Sequence, residues 1–230
     1  MKTVGLIGGM SWESSVLYYQ QINRLVLQHK GGLHSAPLIL HSVDFAEIAR
    51  LQHADDWEQL GNYLADIAKG LEAAGASALA ICTNTMHKVA PQIAKVVRIP
   101  LLHIGDAVLN ACKKEGFLRV GLLGTQFTME QPFLKDHLAQ GGLEVLVPSP
   151  AERQEVHRVI YEELCRGIIT DDSLQRYLAI IDNLRQQGAE AVVLGCTEIG
   201  LLVNADQSPL PVLDTTALHA QSVAAFMLAE

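Results

Sequence analysis

No cluster of lysine and arginine stands out in this sequence: 17 basic residues stand against 25 acidic ones in 230, a formal net charge of -8. The electrostatic footprint by which proteins hold nucleic acid is missing, so no nucleic-acid partner is expected. Also missing is any apolar run approaching the roughly 18 residues that a membrane span needs. The opening Met1-Lys2-Thr3-Val4-Gly5 lacks a signal-peptide layout, and together these features predict a soluble, cytoplasmic protein with no membrane partner. The four cysteines, Cys82, Cys112, Cys165 and Cys196, include no CxxC pair. That spacing argues against a zinc ribbon, and in a cytoplasmic chain disulfides are not expected. There is no phosphate-cradling P-loop, no complete GxGxxG, no evident carboxylate-histidine metal cluster and no lysine marked as a pyridoxal site. Neither a cofactor nor a metal is therefore expected.

What is present is a globular composition, 49% hydrophobic and 18% charged, in a chain long enough for one large domain or two smaller lobes. Buried strands are predicted at Thr3-Ile7, Pro37-Ser42, Ala78-Ile81 and Ile99-Ile104, with helices over 14–30, from Trp57 to Ala74 and from Lys88 to Val97. Strands alternating with helices imply a parallel sheet covered on both faces. The pattern then returns. Val120-Gly121-Leu122-Leu123-Gly124 repeats Val4-Gly5-Leu6-Ile7-Gly8, Gly188-Ala189-Glu190-Ala191 repeats Gly75-Ala76-Ser77-Ala78, Cys196 follows Cys82, and Pro211-Val212-Leu213 follows Pro100-Leu101-Leu102. Four landmarks kept in order describe a duplicated unit. The expected fold is α/β: two pseudo-symmetric lobes, each a parallel sheet flanked by helices, with the active site in the cleft between them. The N-terminal lobe is assigned 1–104 plus 213–230 and the C-terminal lobe 105–212, with a last helix from Ala217 to Leu228 packing back on the first lobe.

Both Cys82 and Cys196 end an apolar run where a strand should meet a helix N-terminus, a setting that lowers a thiol's pKa. In open α/β sheets ligands bind beyond the carboxyl ends of the strands. Two thiols flanking one carbon can remove a proton from one face and return a proton to the other, which is racemisation by two bases. Thr83, Asn84 and Thr85 beside one sulfur, with Thr197 and Glu198 beside the other, supply hydroxyls, an amide and backbone N–H groups for charge developing on a substrate carboxylate.

The segments Gly5-Leu6-Ile7-Gly8-Gly9-Met10-Ser11-Trp12-Glu13-Ser14, Cys82-Thr83-Asn84-Thr85-Met86-His87 and Gly195-Cys196-Thr197-Glu198-Ile199 resemble those of the aspartate/glutamate racemase family. The resemblance covers essentially the whole chain. It implies cofactor-independent racemisation of an amino acid of the aspartate/glutamate class, Cys82 and Cys196 as the acid/base pair, and a homodimer. It also implies a substrate site lined by Met10, Cys82-Thr83-Asn84, Thr125, Thr197 and Gln52. Two departures stand out: the family's arginine after the second strand is absent from His41-Ser42-Val43-Asp44-Phe45, and the lysine of its Tyr-Glu-x-x-Lys motif is replaced in Tyr161-Glu162-Glu163-Leu164-Cys165-Arg166. Arg166 is a substitute from the neighbouring position, or else the pocket is not built for dicarboxylates and specificity is broad.

Other readings of these residues remain open at this level. Thr83, Asn84 and Thr197 serve as helix caps in either case, His87 as a packing histidine or a site residue, Asp44 and Glu198 as supporting groups or loop charges, Met10 and Trp12 as wall or core. A decarboxylase or cis-trans isomerase of small dicarboxylates would use one cysteine, and an amino-acid sensor would use none.

Overall fold

A computed structural model describes residues 1–229. It divides into two compact units, Met1–Ile104 with 219–229, and Gly105–Leu218. In chain order the first contains β1 (Val4–Gly8), α1 (Trp12–Lys30), β2 (Leu38–Ser42), α2 (Phe45–His53), α3 (Trp57–Ala73), β3 (Ala78–Ile81), α4 (Ala90–Ala94) and β4 (Leu101–Leu102). Then come α5 (Ile104–Glu115), β5 (Arg119–Gly124), α6 (Gln126–Glu130), α7 (Pro132–Gln140), β6 (Glu144–Leu146), α8 (Pro150–Glu162), α9 (Asp171–Gln186), β7 (Ala191–Gly195), α10 (Ile199–Leu202), β8 (Val212–Asp214) and α11 (Thr215–Leu228). The sheets are parallel and ordered β2-β1-β3-β4 and β6-β5-β7-β8. The expected duplicated α/β architecture is therefore the observed one. None of the described helices is long and apolar enough to cross a membrane.

Why these stretches fold this way follows from their pattern. Strands β1, β3 and β7 are buried at every residue, as a parallel sheet covered on both faces requires. Ser11 caps α1 through the Ser14 amide, and Gly31 ends that helix at a positive φ. In the first unit one core layer joins Ile7, Leu79 and Ile81 to Leu60, Leu64 and Leu71 of α3. The opposite layer joins Val4, Leu6, Ala78, Ala80 and Cys82 to Tyr18 and Ile22 of α1 and to Ala220, Val223 and Met227 of α11. In the second unit Leu123, Val192 and Leu194 pack on Val156, Val159 and Ile160 of α8 and on Tyr177, Ile181 and Leu184 of α9.

The structure alters several expected boundaries. Strand β8 pairs with β7, so residues 213 to 218 belong to the second unit and the chain returns at His219, not at 213. The segment expected as one helix from Lys88 to Val97 is a 3-10 turn, Thr85–Val89, followed by the five-residue α4, because Pro91 sits in the first turn of α4 and cannot continue a preceding hydrogen-bond ladder. Strand β4 has two residues, less than the expected 99–104.

Candidate active site

In the first unit the β1 and β3 ends are held by a short network. Val43 N–H donates to Gly8 O at 3.0 Å, Cys82 N–H to Ile7 O at 2.9 Å, Gly9 N–H to Ser15 Oγ at 2.7 Å, and Ser14 Oγ to Cys82 O at 3.0 Å. Gly9 has φ of 92°, and a Cβ there would lie 2.3 Å from Val43 O, so only glycine lets the turn pass this close to the next loop. Beyond it, Met10 is buried in one core cluster with Val43, Ile48 and Leu51, while Trp12 is exposed. Gln52 is also buried, its Nε2 donating to Met86 Sδ at 3.2 Å. Asp44 caps α2 through the Ala46 amide, a structural role. Thr83 and Thr85 are partly exposed and Asn84 is buried, with no side-chain cap from Asn84 on the turn that follows.

The two cysteines do not occupy matching settings. Val4 pairs with Ala78 and Ile7 with Ile81, whereas Val120 pairs with Ala191 and Leu123 with Leu194. Since β1 and β5 carry the same Val-Gly-Leu-x-Gly sequence, counting forward along β3 and β7 makes Cys82 the equivalent of Gly195 and Thr83 the equivalent of Cys196. Burial agrees with this register. Cys82 has no exposed surface and joins the layer of Ala78, Ala80 and Tyr18. At its counterpart Gly195, a Cβ would lie 3.0 Å from both Leu123 O and Thr128 Cγ2, so a side chain there would crowd its neighbours. Cys196 is partly exposed and packs beside Leu194. One residue of slip moves a side chain to the other face of a sheet.

The expected lowering of both thiol pKa values is not what the structure produces. Each cysteine is followed by a short turn and a helix of only five or four residues, Ala90–Ala94 and Ile199–Leu202, which offers little dipole. Burial pushes the Cys82 thiol far up. Cys196 is also pushed well up, first by burial and then by Glu198, whose Oε2 accepts from its Sγ–H at 2.9 Å. The same oxygen accepts from the Thr197 hydroxyl at 2.8 Å. Burial and the Glu198 carboxylate that accepts its hydrogen bond therefore both favour the thiol form of Cys196.

Tyr161 comes close enough to Cys196 to feel its charge, and it stands beside His157, which motif reading passed over. On α8, His157 and Tyr161 stand four residues apart with ring centroids 4.7 Å from one another. His157 Nδ1 accepts from Gln126 N–H at 3.1 Å, next to Thr125, whose side chain caps α6 through the Thr128 amide. Burial, followed by the nearby charges of Cys196, Cys165 and Glu198, raises the Tyr161 hydroxyl to about 12. The i, i+4 spacing of His157 and Tyr161 continuing to Cys165 was the available signal. Arg166, in the 3-10 turn that follows α8, is exposed, and Arg158 of α8 is held by Glu155, Glu162 and Glu163.

Comparison with known proteins places this geometry. The profile of the Asp/Glu/Hydantoin racemase family matches residues 7–223. The chain belongs to that family. Among solved structures, this racemase-family chain is similar to a candidate Asp/Glu racemase from Yersinia pestis, at 49% identity with both chains fully covered and a TM-score of 0.96. An aspartate racemase homologue from Pyrococcus horikoshii OT3 is 33% identical, again over the whole of both chains, with a TM-score of 0.88. The broad specificity amino-acid racemase RacX of Bacillus subtilis is 24% identical over 177 residues, 76% of this chain and 75% of that protein.

Proposed function

We propose that this member of the racemase family inverts the α-carbon of free amino acids without a cofactor, with Cys196 acting on one face and Thr83 on the other. The observation that carries the reading is the strand register, which sets Thr83 and Cys196 at equivalent ends of β3 and β7 while Cys82 lies in the core. In one direction the Cys196 sulfur, its proton passed to Glu198, takes the α-proton. The electron pair of the broken C–H bond spreads into the substrate carboxylate. A new C–H bond forms on the opposite face with the proton of the Thr83 hydroxyl, which is replenished from water. A hydroxyl is a much weaker acid than a thiol, so the enantiomer whose α-proton faces Thr83 turns over with the lower kcat.

The substrate class is aspartate and glutamate together with neutral amino acids. Broad acceptance is supported by the absence of the expected arginine and lysine, by the engagement of Arg158 with three glutamates, and by the similarity to a relative named as broad in specificity. Residues Met10, Gln52, Asn84, Thr85, Thr125 and Thr197 complete the proposed substrate surroundings. The homodimer is proposed to use α1, where Trp12, Val16, Tyr19 and Leu27 form an exposed apolar stripe at near-heptad spacing. Sedimentation of Trp12→Glu as a monomer beside a dimeric parent supports it, and a monomeric parent rejects it.

The deciding experiment incubates single enantiomers in deuterium oxide, following loss of the α-proton by NMR and product chirality by chromatography. Exchange with inversion, abolished in Cys196→Ala, is the expected result. No exchange with any amino acid from the folded protein would refute racemisation and favour a sensor or a dicarboxylate enzyme. Loss of inversion in Cys82→Ala with retention in Thr83→Val would restore the two-thiol pair.

A further inference from the structure

Next to the Cys82-Thr83-Asn84 turn lies a cluster of three histidines, His87 and His219 buried and His103 partly so, that the proposed reaction does not use. The ring of His87 is 4.5 Å from that of His103 and 5.8 Å from that of His219, centroid to centroid. Its Nδ1 lies 2.8 Å from Thr83 O, and its Nε2 receives the Ile104 N–H at 3.1 Å. A carbonyl oxygen only accepts and an amide N–H only donates, so these two bonds define the tautomer: Nδ1 carries the proton and Nε2 the lone pair. His219 is set the opposite way, its Nε2–H donating to Leu102 O at 2.7 Å and its Nδ1 accepting from the Tyr18 hydroxyl at 2.8 Å. The His87 imidazole is thereby held neutral by fixed partners. A proton added to His87 Nε2 would confront the Ile104 amide and face His103 and His219, and burial is the main force keeping that pKa well below the usual histidine value.

We infer that His87 is a positioning residue: its Nδ1–H holds the Thr83 carbonyl and so orients the residue assigned above as one acid/base. The inference rests on that assignment. The 3-10 turn Thr85–Val89 places His87 four residues after Thr83, where its ring reaches back to the Thr83 carbonyl. The other end of the ring serves a different purpose. The first N–H groups of a helix have no intrahelical acceptor, and His87 Nε2 supplies one to Ile104, where α5 begins and the first unit ends.

Two substitutions separate these ends. Asparagine places its amide N–H near the Nδ1 position and keeps the bond to Thr83, while glutamine places its oxygen near Nε2 and keeps the bond to Ile104. Both lose one hydrogen bond, so both should lose similar thermal stability. For kcat with KM nearly constant, His87→Gln is expected to fall about tenfold or more and His87→Asn to stay within about threefold of the parent. Reverse ranking, or losses that simply follow melting temperature, overturns the inference. Amide exchange of segment 82–89 without substrate should rise more in His87→Gln than in His87→Asn, and equal exchange also overturns it. That measurement decides the matter if the parent racemises nothing, a result that would reject the function and not the role of His87. If neither variant folds, long-range proton-nitrogen NMR of the parent reads the tautomer directly, and a proton on Nε2 overturns the assignment.

Discussion

Replacing Cys82 with alanine distinguishes a thiol in the core from a thiol at the reaction. Cys82 has no exposed surface and touches the layer formed by Ala78, Ala80, Tyr18 and the α11 side chains. Deleting its sulfur removes about one methyl-sized group from a close-packed layer, a loss of about 1 kcal/mol by comparison with Ile→Val changes. In a chain of this size that shifts melting by about 2–4 °C. Turnover should remain within about twofold, because no atom facing substrate has changed. Thr83→Val is nearly isosteric and partly exposed, and should leave melting almost unaltered while lowering kcat about 10²–10⁴-fold, the usual worth of a general acid/base. Both proteins are assayed by chiral chromatography beside thermal denaturation. A Cys82→Ala enzyme with intact melting and turnover reduced a hundredfold or more would refute the register argument.

Glu198→Gln removes the carboxylate that helps hold Cys196 protonated, so the Cys196 pKa should fall; alkylation of this residue, followed by peptide mass spectrometry, should become faster at a given pH, and an unchanged rate would mean that burial alone sets the thiol. Gly195→Ala forces a Cβ within 3.0 Å of Leu123 O and Thr128 Cγ2 and should cost about 1–3 kcal/mol in urea unfolding, with reduced turnover because Cys196 is next in sequence. Folded His87 resists protonation, so as pH falls below about 6.5 the unfolded chain gains a proton that the folded chain refuses. Stability should therefore decline toward acid by up to about 1.4 kcal/mol per pH unit, a slope absent from His87→Asn; parallel curves for the two proteins at pH 7.5, 6.5 and 5.5 would contradict the burial argument.

Much of this architecture could be read from buried apolar runs. Val4-Gly5-Leu6-Ile7 and Val120-Gly121-Leu122-Leu123 announce matching strands, and the spacing of Leu60, Leu64, Ile67 and Leu71 announces α3. Short pieces were harder to bound: the strand expected over Ile99-Ile104 keeps two residues as β4, and β6 with three is too short for any period to register. The site was legible only in part. Matching the repeats by their cysteines aligns Cys82 with Cys196, whereas hydrogen-bonded pairing aligns Thr83 with Cys196, a difference of one residue that only backbone register resolves. The expected thiolates failed because burial pushes both thiols up, and the helices after both turns are too short to supply an offsetting dipole. Tyr161 is 35 residues from Cys196 in sequence and becomes its neighbour only through packing of α8 on the second sheet.

The return of α11 to the first unit makes that unit discontinuous. Residues 105 to 218 form the second unit from one uninterrupted stretch, but the first needs residues on either side of it. His219 bonds both Tyr18 and Leu102, while Ala220, Val223 and Met227 close the layer over Val4 and Leu6. During synthesis the later-encoded unit has all its parts before the earlier one does. The turn bearing Thr83 therefore gains its full support only after Cys196 has been made and placed, which inverts the usual N-to-C order in which domains mature.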